Sequence, residues 1–381
     1  MRRSLLVLLV LLVLFVPAAL SAQSSQFGVR GLGFPGRGLA VRGLGSGGGF
    51  GLFDAESSQN PAALANVTAL TSGFTITQGF RQVENPAGTA SVRNTRFPQL
   101  TVAGPVHTLP IAVGFSFSNY TSRDFTLATS GTIDLRGTPV NVSDTFSSRG
   151  GLNDFRIAGS YRLGARWSVG AGFHVISGSN RLTSTRIFDD PGFLSSRQRA
   201  ELSYTGVGMS VGITRLFGAN LGLSALARSD GHLNVDRDST RVGTIDLPFS
   251  FGFGVRWHPV PALDIAGQTM VRTWSGANSD LLAMGGAGAQ NTIEVAAGVE
   301  YTTDLRRPYQ RPLRFGGRYA TLPFTLVSGQ QGHEIGVSAG TGLRFAQQRA
   351  GMDLAIEHVW RSEGVYSENG FLISLGVSVR P

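Results

Sequence analysis

Few residues of this chain could do covalent chemistry. It has 381 residues, six His and no Cys, so no disulfide or thiolate site exists. His107, His174, His232, His258, His333 and His358 are dispersed. None stands at a metal-ligand spacing from another His or an Asp, so no metal and no cofactor is expected. Asp154 and His174 could form an acid–base pair if two neighbouring strands brought them together. An ion pair in a protein interior is the plainer account of them, and the chain is not expected to be an enzyme. Gly206-Val207-Gly208 and Gly252-Phe253-Gly254 lack the strand-to-helix setting of a nucleotide loop and read as packing or curvature sites within strands.

The elements that carry these residues follow from the chain's patterning. Residues 1–22 read as a signal peptide. Arg2 and Arg3 precede the apolar run Leu5 to Val16, and Leu20-Ser21-Ala22 supplies a small-residue cleavage site. The run is short for a membrane-spanning helix. The formal charge of +9 comes from Arg scattered along the chain. With an export signal, that distribution argues against nucleic-acid binding.

From about residue 70, segments of about 10–14 residues alternate apolar and polar, with turn residues between them. In Leu247 to Trp257 the odd positions are all large and apolar. Trp167 to Val175, Ile293 to Tyr301, Ile335 to Phe345 and Phe371 to Val379 repeat the period of two. Short connections, as at Gly164-Ala165 and Gly218-Ala219, alternate with longer ones near 83–96, 123–149, 178–199, 231–246 and 275–290. Aromatics such as Trp167, Trp257 and Tyr301 sit near strand ends. A soluble sandwich shares the alternation, but not the alternating loop lengths. The expected fold is all-β: a transmembrane antiparallel barrel of about 14 strands over residues 70–381, in contact with outer-membrane lipid and inserted by the barrel-assembly machinery. If the apolar set faces lipid, the lumen receives Asp154, Arg156, His174, Arg256, Glu294, Glu300, Arg318, Glu334 and Glu357, among others.

Such a barrel encloses more space than wall side chains fill. Residues 23–69 are available to occupy it. They are Gly-rich, with Gly47 to Gly49 in a row, and end in Asp54-Ala55-Glu56-Ser57-Ser58-Gln59-Asn60-Pro61-Ala62-Ala63-Leu64-Ala65.

A Gly-rich segment, an acidic Ser-rich stretch and Asn60-Pro61-Ala62 ahead of the first strand resemble the FadL-like outer-membrane transport family. The resemblance covers the mature chain in architecture and residues 43–66 in motif. It implies an N-terminal plug over residues 23–69, passive uptake of hydrophobic small molecules such as long-chain fatty acids, movement of the plug, and lateral exit through the barrel wall. Under it, Asn60, Pro61 and Ala62 are the plug motif and Asp54 and Glu56 are candidate plug anchors. Arg156, Arg256 and Arg318 are candidate lumen contacts for a ligand. Leu281, Leu282 and Met284 are candidate capture residues in a surface loop. The chain departs from the family pattern in ending Val379-Arg380-Pro381 rather than on an aromatic. A non-transporting structural or protein-secretion partner barrel and a general polar porin remain the alternatives.

Overall fold

A computed structural model describes residues 25–381 apart from 285, 287, 306–310 and 328. The expected signal peptide lies outside the described residues. Eighteen strands follow in chain order. β1 (Phe34–Pro35) belongs to the N-terminal segment. The rest are β2 (Thr71–Asn85), β3 (Gly88–Val106), β4 (Ile111–Ser122), β5 (Phe125–Leu135), β6 (Thr138–Leu163), β7 (Trp167–Phe188), β8 (Ser196–Phe217), β9 (Leu221–Ser229), β10 (His232–Arg237), β11 (Thr240–Asp246), β12 (Phe249–Val260), β13 (Leu263–Arg272), β14 (Thr292–Thr302), β15 (Pro312–Thr321), β16 (His333–Phe345), β17 (Ala350–Glu363) and β18 (Tyr366–Val379).

Fourteen of these close the wall. β2, β3, β4, β6, β7, β8, β9 and then β12 to β18 pair in turn, every pair antiparallel, and β18 returns to β2 from Val379↔Ser72 to Ser367↔Glu84. Closure leaves the wall no free edge, which a hydrocarbon surround requires. Among the described residues no helix is long and apolar enough to cross a membrane; the crossing elements are strands. Alternation sets the two faces. On β12, Phe251 and Phe253 are 54% and 48% exposed on the outside, whereas Ser250 between the apolar residues is 4% exposed on the inside. The Gly pairs 206/208 and 252/254 lie within β8 and β12.

The long connections differ from expectation. Those near 123–149, 178–199 and 231–246 are built largely of strand. β5 pairs with the upper half of β6, and β7 and β8 run on beyond the wall. The hairpin of β10 and β11 is laid on β8. Apolar alternation continues there through Val140, Val142 and Phe146, and Phe188 meets Phe193 with ring centroids 5.6 Å apart. Those side chains give the extensions a face to pack, so the ladder continues.

The N-terminal segment packs against the inner face of this wall. Four apolar clusters mix the two. Leu64 sits on Ala103, Ala112 and Ala158, and Leu39, Val41 and Leu44 on Ala355. Phe50, Leu52 and Phe53 meet Leu226, Ala266 and Met270. At the long-loop end Leu32 joins Leu152, Trp274, Leu281 and Phe324. Small residues on both sides allow this approach. A methyl group on Gly316 of β15 would lie 2.1 Å from the Ser46 carbonyl carbon, and one on Gly298 of β14 would lie 2.2 Å from the Ser46 oxygen. Only glycine lets the two backbones meet there.

Candidate functional site

The Asn-Pro-Ala motif is a helix cap and a wall anchor at once. Asn60 has extended backbone and starts the 3-10 helix Pro61–Asn66, whose first position Pro61 needs no N–H partner. Its Oδ1 accepts the Ala62 N–H at 3.0 Å. Its Nδ2 donates to the Leu52 carbonyl at 3.0 Å and to Ser224 Oγ on β9 at 2.7 Å. Asn60 is 1% exposed, so every polar atom of the amide needs these partners.

The acidic residues anchor the segment differently from expectation. Asp54 turns inward to its own segment, accepting from Ser57 Oγ at 2.7 Å and from the Glu56 N–H at 3.3 Å. Glu56 is held through its main chain, its carbonyl accepting from Gln99 Nε2 and, at 2.9 Å, from Thr101 Oγ1. Burial, then the charges of Asp54 and Asp353, push the Glu56 carboxyl up to about 7.

Arginines of the segment make the charged contacts with the wall. Arg37 Nη2 donates to both oxygens of Glu357 at 2.7 and 2.8 Å. Arg42 grips Glu300 with Nε and Nη2, both at 2.9 Å. Burial alone would lower the Arg42 pKa, but Glu300 and Asp54 outweigh it and the net shift is upward. Ser25 Oγ donates to Glu368 at 2.7 Å. The salt bridges between segment and wall thus run from arginines of the segment to carboxylates of the wall. The signal lay in Glu294, Glu300, Glu334 and Glu357, lumen-facing carboxylates that call for cationic partners.

The three candidate ligand arginines are not brought together. Arg256 binds Asp264, with Nε 2.8 Å from Oδ2. Arg318 binds Glu334 and stands 3.8 Å from Glu357. Arg156 donates from Nε to Ser116 Oγ at 3.1 Å, and its Nη1 is buried without a partner. In the loop between β13 and β14, the 3-10 turn Trp274–Ala277 leads into α1 (Asn278–Ala283). Leu281 is buried there, while Leu282 and Met284 are exposed.

His174 and Asp154 do meet, with Nδ1 at 2.9 Å from Oδ1, and His174 Nε2 is 2.8 Å from Ser210 Oγ. Arg228 Nη1 also donates to Asp154 at 2.7 Å. Ser210 and His174 are 2% and 0% exposed, so no substrate reaches the hydroxyl. The group is a polar network that ties β6 to β9 across the wall.

The wall's shortest ladder lies between β3 and β4. On β3, Phe97 and Pro98 together oppose the single residue Ile76 of β2, a bulge at a residue with no N–H. Pairing of β3 with β4 starts only at Gln99↔Ser118. Above it, β4 pairs instead with the N-terminal segment, Ser122↔Phe34 and Thr121↔Pro35. A cavity of about 140 Å³ lies here, bounded by Phe34, Pro98, Trp274 and Leu322 and by several arginines. At the short-turn end a larger cavity of about 420 Å³ is lined by Arg42, Glu56, Arg256, Glu300 and Arg344.

A closed fourteen-stranded barrel with an N-terminal segment packed in its lumen is a FadL-like barrel. A family profile described as BamG matches residues 1–229, and the chain belongs to the BamG family. Its fold is similar to that of a FadL homologue of Pseudomonas aeruginosa, with 14% identity, TM-score 0.66, and 91% of this chain and 99% of that one covered. It is also similar to the toluene transporter TodX of Pseudomonas putida, with 15% identity, TM-score 0.57, and 91% and 98% covered. The monoaromatic hydrocarbon channel CymD gives 14% identity, TM-score 0.54, and 94% and 99% covered. No curated protein matches the sequence.

Proposed function

We propose that the protein is an outer-membrane channel for passive uptake of hydrophobic small molecules, long-chain fatty acids among them, gated by residues 23–69 acting as a plug. The observation that carries this reading is the β3–β4 gap. The wall loses its ladder above Pro98, and two residues of the N-terminal segment fill the vacated edge of β4. A segment that completes the wall opens it when it moves, and a hydrophobic solute then leaves sideways into lipid without crossing the polar lumen. Leu282 and Met284 on the outer loop supply apolar surface for capture, and Leu281 fixes that loop to the cluster around Trp274. The fold's likeness to hydrocarbon and toluene channels supports the same reading.

A second reading has its own support. The BamG family assignment and a lumen crossed by ion pairs fit a barrel that serves the barrel-assembly machinery and transports nothing. Proteoliposomes separate the readings. Labelled oleate and a small sugar are offered to full-length protein and to a variant lacking residues 24–66. Oleate entry through the full-length protein, without sugar entry, supports the channel. Entry of neither solute into liposomes carrying folded barrel supports the assembly-partner reading, and entry of sugar through both proteins supports a porin.

A further inference from the structure

The lining of the cavity beside the β3–β4 gap holds more guanidiniums than carboxylates. Six arginines line it: Arg37 from the N-terminal segment, Arg81 of β2, Arg96 of β3, Arg272 of β13, Arg318 of β15 and Arg361 of β17. Three carboxylates, Glu294, Glu334 and Glu357, share the lining. A fourth, Glu368, stands behind them, bonded to Arg361 and 3.7 Å from Arg81. Asp124, reached from Arg96 through Ser122, brings the carboxylates to five against six guanidiniums. At least one guanidinium of this lining has no carboxylate of its own there, and at the buried Arg81 and Arg318 an uncompensated charge is costly.

The hydrogen-bond inventory points to the same place. Arg81 is 8% exposed, and only its Nη2 makes a hydrogen bond, to Asn94 at 2.6 Å; its Nε and Nη1 make none. Arg318 is 6% exposed with Nε unbonded, and Arg37 Nη1 is unbonded too. Arg81 Nε and Arg318 Nε meet carboxylates only at ion-pair distance, 3.7 Å from Glu368 and 3.8 Å from Glu357, and Arg81 Nη1 and Arg37 Nη1 are buried with no hydrogen-bond acceptor around the same cavity, whereas buried donors are almost always satisfied. The cavity's 140 Å³ exceeds the ~30 Å³ share of a water several-fold, enough for a tetrahedral oxyanion.

We propose that this cavity binds an oxyanion, either free phosphate or sulfate or the anionic head of an amphiphile, between Arg81 and Arg318 of the wall and Arg37 of the N-terminal segment. Planar guanidinium forks match the geometry of carboxylate, sulfate and phosphate. Because Arg37 belongs to the segment and the other two to the wall, the bound anion clasps one to the other. Anion occupancy then controls how firmly the segment stays docked, and the site exists whether or not the barrel transports hydrophobic solutes.

The test uses full-length protein in an uncharged detergent, titrated with phosphate, sulfate, laurate and, as a neutral control, dodecanol. Binding and protection of the segment from protease are read together. Arg81→Gln is the main variant, since Arg81 has the most unbonded N–H groups; Glu294→Gln removes a carboxylate from the lining. Folding of each variant is checked by heat-modifiable migration. The expected result is saturable anion binding that increases protection, weakens by about tenfold or more in Arg81→Gln and tightens in Glu294→Gln. Binding of phosphate or sulfate identifies a free ion, and binding of laurate but not dodecanol identifies an amphiphile head. Equal affinity of folded Arg81→Gln and the parent protein, equal binding of laurate and dodecanol, or no anion binding at all overturns the proposal.

Discussion

Replacing Asn60 with Ala removes one side chain and unpairs several groups that have no access to water. The cap on the Ala62 N–H goes, at a cost of ~1 kcal/mol for a typical N-cap. The Leu52 carbonyl and Ser224 Oγ lose their shared amide donor. Ser224 Oγ can still donate to the Leu52 carbonyl at 3.3 Å, so one of the two is partly recovered. A buried polar group left unsatisfied costs ~1–3 kcal/mol. Together the loss is about 2–4 kcal/mol, and it falls on docking of the segment rather than on the ladder of the wall. A change of that size lowers the docked fraction by a factor of about 30 to 1,000. Limited proteolysis in detergent reads it directly as faster cleavage between residues 30 and 66 while the barrel remains heat-modifiable. Asn60→Asp keeps the cap acceptor but buries a carboxylate oxygen against the Leu52 carbonyl, so at neutral pH it should undock the segment at least as much as Asn60→Ala. Unchanged cleavage kinetics in Asn60→Ala would refute the view that this amide fastens the segment to β9.

Other perturbations address the remaining contacts. Gly316→Val places a side chain 2.1 Å from the Ser46 carbonyl carbon, so the segment should undock while the barrel still assembles, seen as protease sensitivity without loss of heat-modifiability. Arg37→Ala leaves the buried Glu357 only Arg318 at 3.8 Å; the loss should fall below the about 3–5 kcal/mol of a fully unpaired buried charge, and the double variant with Glu357→Gln should recover much of it in thermal melts. Glu56 has its carboxyl raised from 4.5 to about 7, so the docked state prefers it protonated. That contribution is complete below about pH 4.5 and is lost as pH rises through 7. The shift corresponds to roughly 3 kcal/mol before discounting for partial exposure, and to about 1–2 after it. Protease sensitivity of the segment should therefore rise between pH 5.5 and 8.5, and Glu56→Gln should flatten the profile.

The sequence made the wall readable because lipid imposes period-two alternation on every crossing strand. Leu247 to Trp257 carries that pattern, and it is β12 in the structure. The strand count followed from alternating connection lengths. The loops were less legible, since Val140, Val142 and Phe146 signal strand only when their pairing with β5 is known. Asn60-Pro61-Ala62 stood out through its resemblance to a family motif, and its capping role came only with the Asn60 side chain seen to accept the Ala62 N–H. Arg37 and Arg42 could not be found, because their partners Glu357 and Glu300 are 320 and 258 residues away and Gly-rich sequence has no periodicity to orient a side chain. The gap above Pro98 depends on which edge of β4 the segment occupies, a matter of tertiary pairing alone.

The central claim is that the segment must move for a hydrophobic solute to pass. The chain has no Cys, so a disulfide can be placed cleanly. A Cβ at Gly45 lies 3.4 Å from the Cβ of Ala355 on β17, close to disulfide range. The decisive measurement is oleate uptake by proteoliposomes carrying Gly45→Cys with Ala355→Cys, oxidised and then reduced. Uptake blocked when oxidised and restored by reductant is the result this account predicts. Full uptake through the oxidised, locked barrel would contradict it.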